Sequence, residues 1–72
     1  MPDEVAEQEE RMKAVEAAIR LLPHDLKTAL ILTAIEGLSH IETAERLGTT
    51  PKTIETRIYR ARKRLGSILH RE

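Results

Sequence analysis

Cysteine is absent from this chain of 72 residues. That excludes a disulfide framework and any thiolate metal site, and it fits a reducing compartment. Aromatic side chains are almost as scarce, with one tyrosine, no phenylalanine and no tryptophan. Proteins that hold single strands stack the bases on aromatic platforms, so that mode of nucleic-acid binding is disfavoured. Long apolar runs are also missing. The longest, from Ala29 to Ile35, is far too short to span a bilayer. Residues 1–10 are acidic and carry no apolar stretch, unlike a secretory signal. The expectation is a cytoplasmic protein with no membrane association. His24, His40 and His70 lie far apart without ligand spacing, so no metal site and no cofactor are expected. A single domain this short buries only about 60% of the surface its unfolded chain exposes. It has no room for a deep catalytic cleft, and an enzyme is not expected.

What is present is charge, unevenly placed. The formal net charge is zero, which by itself argues against a simple polyanion binder. Residues 1–36, however, hold eight acids and four bases, whereas residues 37–72 hold four acids and eight bases. The chain has one acidic and one basic half, a pattern that points to nucleic-acid or membrane-surface contact.

Helix breakers divide the sequence into four helical stretches. In the first, from about Asp3 to Leu22, Val5, Met12, Val15, Ile19 and Leu22 form one stripe at spacings of 7, 3, 4 and 3. Asp3, Glu4 and Glu7 stand where the helix dipole favours negative charge, and the segment 1–11 is expected to fray. Pro23 suits a first helical turn, so a second helix is expected from there to Glu36. Its residues Leu26, Ala29, Leu30, Ile31, Leu32, Ala34 and Ile35 cover most of the circumference, which reads as the most buried helix. Gly37 ends it. Ser39 then caps a short third helix, with Glu42 three residues on to complete a capping box. That helix ends at Leu47–Gly48. Thr50 caps a fourth, with Pro51 in its first turn, and Ile54, Ile58, Ala61, Leu65 and Ile68 form its apolar stripe. Gly66 leaves its end open. The fold class is all-α, a four-helix domain with a C-terminal helix-turn-helix over about residues 39–65.

The helix-turn-helix follows from small and apolar residues at particular places. Ala44 is small where two helices would cross, Gly48 allows the positive φ of a tight turn, and Leu47, Ile54 and Ile58 are apolar where the helices face each other. In such a unit the second helix enters the major groove of DNA. At about 100° per residue, and with Ile54 as origin, Lys52, Thr56, Tyr59, Arg60 and Lys63 fall on the outward face. Lysine and arginine bind phosphates and read guanine edges, and threonine contacts a phosphate, a base edge or a thymine methyl. Glu55, at about 100° from Ile54, repels phosphates but can accept from cytosine N4. A charged helix face is also what plain solvation produces, and Tyr59 has a packed reading beside a DNA-contacting one. Arg57 falls nearer the packed side, at about 300°, and is expected to pair with an acid of an earlier helix, such as Glu42 or Glu36. Ser39 has a sufficient role as a cap, with no nucleophile–base–orienter constellation around it.

The segments Leu22-Pro23, Glu36-Gly37-Leu38-Ser39-His40, Ala44-Glu45-Arg46-Leu47-Gly48 and Thr53-Ile54-Glu55-Thr56-Arg57-Ile58-Tyr59-Arg60-Ala61-Arg62 together resemble region 4 of bacterial sigma factors. The type is the small extracytoplasmic-function group, and the likeness extends over about residues 12–70. It implies that residues 1–72 are a single region 4-like helix-turn-helix domain. It implies binding to the promoter −35 element in double-stranded DNA, docking on the β-flap of RNA polymerase core and masking by an anti-sigma factor. Base-reading positions would fall on Glu55, Thr56, Tyr59 and Arg60, and phosphate contacts on His40, Lys52 and Thr53. Many members carry Lys or Arg where this chain has Glu55, so the −35 sequence does not transfer. Thr43 and Thr49 stand where the pattern has aliphatics, which implies a looser or repacked motif core. No counterpart of region 2, which recognises and melts the −10 element, lies in these residues. The resemblance therefore implies an excised domain or a stand-alone region 4 protein.

Two other functions fit the same residues. One is the helix-turn-helix output domain of another transcription regulator, dimerising through Ile68 and Leu69. The other is an interaction module for polymerase or an anti-sigma factor with little DNA binding, which the zero net charge keeps open. Leu26, Leu30, Ile31, Leu32 and Ile35 carry more apolar area than so small a domain easily covers. Part of it, with Leu38, Ile68 and Leu69, is expected to remain exposed as a partner patch.

Overall fold

The computed structural model describes residues 2–70. Four α-helices follow in order: α1 (Pro2–Arg20), α2 (His24–Leu30), α3 (His40–Leu47) and α4 (Pro51–Leu69), with a π turn (Ile31–Ile35) continuing α2. Two apolar clusters hold them. Leu22, Leu26, Leu30 and Ala61 form one, with Ile19 and Leu65 packed against it, and it ties α1 and α2 to the C-terminal half of α4. Ala29, Ala44, Ile54 and Ile58 form the other, with Leu47 at its edge, and it ties α2 and α3 to the N-terminal half of α4. One stripe on α4 thus serves both clusters. Ala29, Ala44 and Ala61 are buried where helices cross, and a larger side chain there would strain the close packing.

Helix ends follow the local chemistry. The Ser39 hydroxyl accepts from the Glu42 N–H at 3.0 Å, and the Glu42 Oε1 accepts from the Ser39 N–H at 3.0 Å, so the capping box is complete. Gly48 closes α3 at φ 68°, with the Thr49 N–H bonded to the Ala44 carbonyl. Thr50 caps α4 through the Thr53 N–H at 3.2 Å, and Pro51 takes the first helical position. Gly66 lies within α4, which continues to Leu69.

Three boundaries differ from expectation. α1 ends at Arg20 rather than Leu22, because the Leu21 and Leu22 N–H groups turn back to Ala18 and Ile19 in a tight turn before Pro23. Helix begins at Pro2, just ahead of the expected start near Asp3, and the described side chains of the stretch up to residue 11 are all exposed. The second helix does not stay α to Glu36. The Thr33 hydroxyl takes the Ala29 carbonyl at 2.8 Å and reaches the Leu30 carbonyl at 3.3 Å, a back-bond that loosens the regular ladder. Beyond it the Glu36 N–H reaches five residues back to Ile31 and the Leu38 N–H six residues back to Leu32. The turn that closes at Gly37 (φ 78°) therefore holds one residue more than the one at Gly48. That extra residue rotates the next stretch of backbone about the helix axis.

The rotation decides the apolar surface. Leu26 and Leu30 are buried, Ile31, Leu32, Leu38 and Ile68 are half-buried, and Ile35 is 66% exposed, with Leu69 exposed beside α4's end. The second helix is thus buried only in its α half. Thr43, expected to loosen the motif core, is completely buried, and its hydroxyl donates to the Ser39 carbonyl at 2.8 Å. A buried hydroxyl that is satisfied within its own helix costs the core little.

Replacing Ser39 by alanine should remove the cap and lower stability by about 1 kcal/mol in urea unfolding, with helix content retained. The Ser39 N–H and hydroxyl hold the Glu42 carboxyl below its ordinary value, with Arg46 adding to the effect. A carboxylate with a depressed folded pKa contributes stability above its unfolded value and loses it as pH falls through the folded one. The parent's advantage over Glu42→Gln should therefore be full near neutrality and close in acid. A constant gap in midpoint across that range would contradict the role given to Glu42.

Candidate nucleic-acid interface

The outward face of α4 is set by the burial of its opposite stripe. With Ile54, Ile58 and Ala61 buried, Lys52, Glu55, Tyr59, Arg60 and Lys63 are exposed, and Thr53 and Thr56 are half-buried at its flank. Tyr59, which had a packed reading, is 64% exposed. Its ring lies beneath Lys63 Nζ, 5.9 Å from the centroid, a cation–π arrangement worth about 0.5–1 kcal/mol at an exposed site. Glu55 is partnered within its own helix, with its Oε2 3.6 Å from Lys52 Nζ. Both side chains are largely exposed, so the pair adds little stability, but it removes part of the repulsion Glu55 would offer a phosphate.

Two shallow depressions run along this face. Thr50, Lys52, Thr53, Thr56, Arg57 and Arg60 line one together with Asp25. Arg60, Lys63, Arg64 and Ser67 line the other with Pro23, Asp25 and Leu26 from the start of α2. The first is polar, studded with hydroxyls and cations, and suits an oxyanion better than an apolar ligand. Five of the sequence-predicted residues, Lys52, Thr53, Thr56, Arg60 and Lys63, line one or other depression. Glu55 and Tyr59 stand beside them on the same helix. His40 is the first residue of α3 and exposed, outside both depressions.

Arg57 pairs with an acid of an earlier helix, as expected, but the acid is not one of the two named from the sequence. Its Nε lies 4.0 Å from Asp25 Oδ2, not near Glu42 or Glu36. The reason is the direction of α4: Arg57 faces the first turn of α2, while Glu42 is engaged by the N-terminus of α3. Sequence reasoning passed over Asp25. Its available signal was its place two residues after Pro23, at the exposed start of a helix that must pack on α4.

Among the described residues no helix is long and apolar enough to cross a membrane. No group of three or more His, Asp or Glu side chains there is placed to hold a metal ion.

Comparison with known proteins gives a consistent set of matches. The profile of the family described as sigma-70, region 4 matches residues 12–65. The RNA polymerase sigma-H factor of Pseudomonas aeruginosa is 35% identical over 68 residues, covering 94% of this chain and 35% of that protein. An ECF RNA polymerase sigma-E factor of Haemophilus influenzae is 47% identical over 45 residues, covering 62% of this chain and 24% of that protein. The RNA polymerase sigma factor NccH of Alcaligenes xylosoxydans xylosoxydans is 48% identical over 40 residues, covering 56% of this chain and 22% of that protein. The chain thus spans 22–35% of the length of these relatives. No solved structure matches it significantly.

Proposed function

The chain belongs to the sigma-70 region 4 family, and from that premise we propose that it binds a promoter −35 element as part of a sigma factor directing RNA polymerase to initiate transcription. The observation that carries this reading is the outer face of α4. Exposed cations there flank half-buried hydroxyls, and the helix is held from behind by two apolar clusters. A rigid helix with one free basic face is what a major groove admits. Thr56, Tyr59 and Arg60 read base edges, with Glu55 accepting from a cytosine amine. His40, Lys52 and Thr53, near the starts of α3 and α4, hold phosphates, and Lys63 extends the face along the groove. Residues 1–72 act as one domain. Polymerase core, through its β-flap, and an anti-sigma factor take the apolar side. Support for that lies in the trough between α1, the π turn and α4, where Met12, Val15, Ile19, Leu30, Ile35 and Leu65 are joined by Glu16 and Arg62.

The test is binding to a duplex library randomised at the −35 element. Arg60→Ala should cost about 1–3 kcal/mol on the preferred sequence, the worth of a bidentate guanine contact, and far less on random duplex. Lys52→Ala should weaken both by similar factors, since a phosphate contact carries no sequence information. Equal losses on both duplexes for Arg60→Ala would remove it from the base-reading set.

A further inference from the structure

Asp25 is the one acid lining either depression on the α4 face, and it lines both. Its Oδ2 faces Arg57 Nε at 4.0 Å, while Oδ1 accepts the Leu26 N–H at 3.0 Å, which fixes the carboxylate to the first turn of α2. The Arg57 side chain is only 28% exposed, against 58% for Asp25. The depression that holds this pair also holds Lys52 and Arg60. Neither Lys52 nor Arg60 has Asp25 as an ion-pair partner among the described residues; Lys52 is paired with Glu55. The cations of α4 are thus of two kinds. Lys52, Arg60 and Lys63 are exposed on the outer face, whereas Arg57 is drawn back against α2.

We propose that Asp25 is a positioning residue that holds Arg57 out of the DNA-contacting set. This rests on the reading of α4 as the DNA-binding helix. The carboxylate cancels the Arg57 charge beside the polar depression and keeps its guanidinium turned toward α2. Arg57 is placed to reach the phosphates that pass over Thr50, Thr53 and Thr56 once the carboxylate charge is removed. Phosphate attraction is blind to sequence, so retaining Arg57 in the protein limits binding to arbitrary DNA and leaves discrimination to the outward residues.

The experiment measures binding of the 72-residue chain to a short duplex of mixed sequence as a function of salt. Asp25→Asn is suited to it, because asparagine keeps an Oδ1 acceptor for the Leu26 N–H and replaces the charged oxygen that faces Arg57 by an uncharged amide nitrogen, which only donates. One added phosphate contact steepens the log–log salt slope by about 0.9 and, counted from one molar salt, strengthens binding about eightfold at 0.1 M. That is the result expected for Asp25→Asn. Arg57→Gln alone should leave the slope of the parent unchanged. Asp25→Asn in the Arg57→Gln background should lose the steepening. Urea midpoints of all variants check folding, and Arg57→Met, which also removes the charge, serves in place of Arg57→Gln should the latter unfold. A slope flattened by Arg57→Gln would show that Arg57 already touches phosphate and would overturn the proposal. So would an Asp25→Asn gain that persists without Arg57, since the acid would then act only by general repulsion. A parent chain whose binding ignores salt would instead overturn the reading of α4 itself. A steep parent slope with either of the first two outcomes leaves that reading standing and removes only Asp25's role.

Discussion

Raising salt from 50 to 200 mM should weaken duplex binding by roughly 250- to 1,000-fold, from a log–log slope of about −4 to −5 for four to six neutralised phosphates. The cations available for this are few. Lys52, Arg60 and Lys63 stand on the outer face of α4, with Arg62 and Arg64 exposed on the same helix. Against them stands the acidic α1, with Asp3, Glu4, Glu7, Glu9, Glu10 and Glu16 exposed. Specific single modules bury little surface, so micromolar affinity is the expected order at moderate salt. Fluorescence anisotropy across a salt series reads the slope directly. A slope near zero would mean that α4 does not lie against the phosphate backbone, and the proposed function would fall with it.

Ile54→Ala should lower stability by about 2–5 kcal/mol, the usual range for truncating a fully buried isoleucine. Ile54 has no exposed surface and sits where Ala29, Ala44 and Ile58 meet. The facing alanines, Ala29 and Ala44, are already minimal and cannot move in to fill the space, so the site collapses only partly. A domain of this size sits near the lower end of the 5–15 kcal/mol range, so a loss of about that magnitude leaves much of it unfolded at 37 °C. Ile41→Ala is the control. Ile41 has the same side chain but is 62% exposed on α3, and its loss should change the urea midpoint by little. Similar midpoints for the two variants would mean that the α3–α4 crossing does not carry the fold.

Much of the architecture could be read from local signals, because those signals are themselves local physics. Ser39 and Glu42, Thr50 and Pro51, and Gly37 and Gly48 act within a few residues of their own backbone, and all six do what their chemistry predicts. The α4 stripe was legible for the same reason, since burial at Ile54, Ile58 and Ala61 follows the helical repeat. The continuous apolar run from Ala29 to Ile35 gave no such guide. When every side of a helix is apolar, the pattern cannot say which side will be covered. Here the Thr33 back-bonds and the wide closing turn direct Ile35 to solvent. The Arg57 partner was illegible for a different reason. Its helical angle pointed it toward the body of the domain, but which acid stands there depends on how α2 crosses α4.

By itself the sequence determined the all-α class, the four helices, their caps and which face of α4 is packed and which is free. Each of these depends on contacts within one turn or one helical repeat. It also placed the charge asymmetry, because charge belongs to the residue and not to the fold. Only the tertiary structure decided that two clusters share one α4 stripe, and that the second helix widens into a π turn and exposes Ile35. It also brought Asp25, distant in the chain, to Arg57 and to the edge of the basic face. The shared stripe and the Asp25–Arg57 pair arise where separate helices meet, and the angle at which they meet depends on how side chains of different helices fit together.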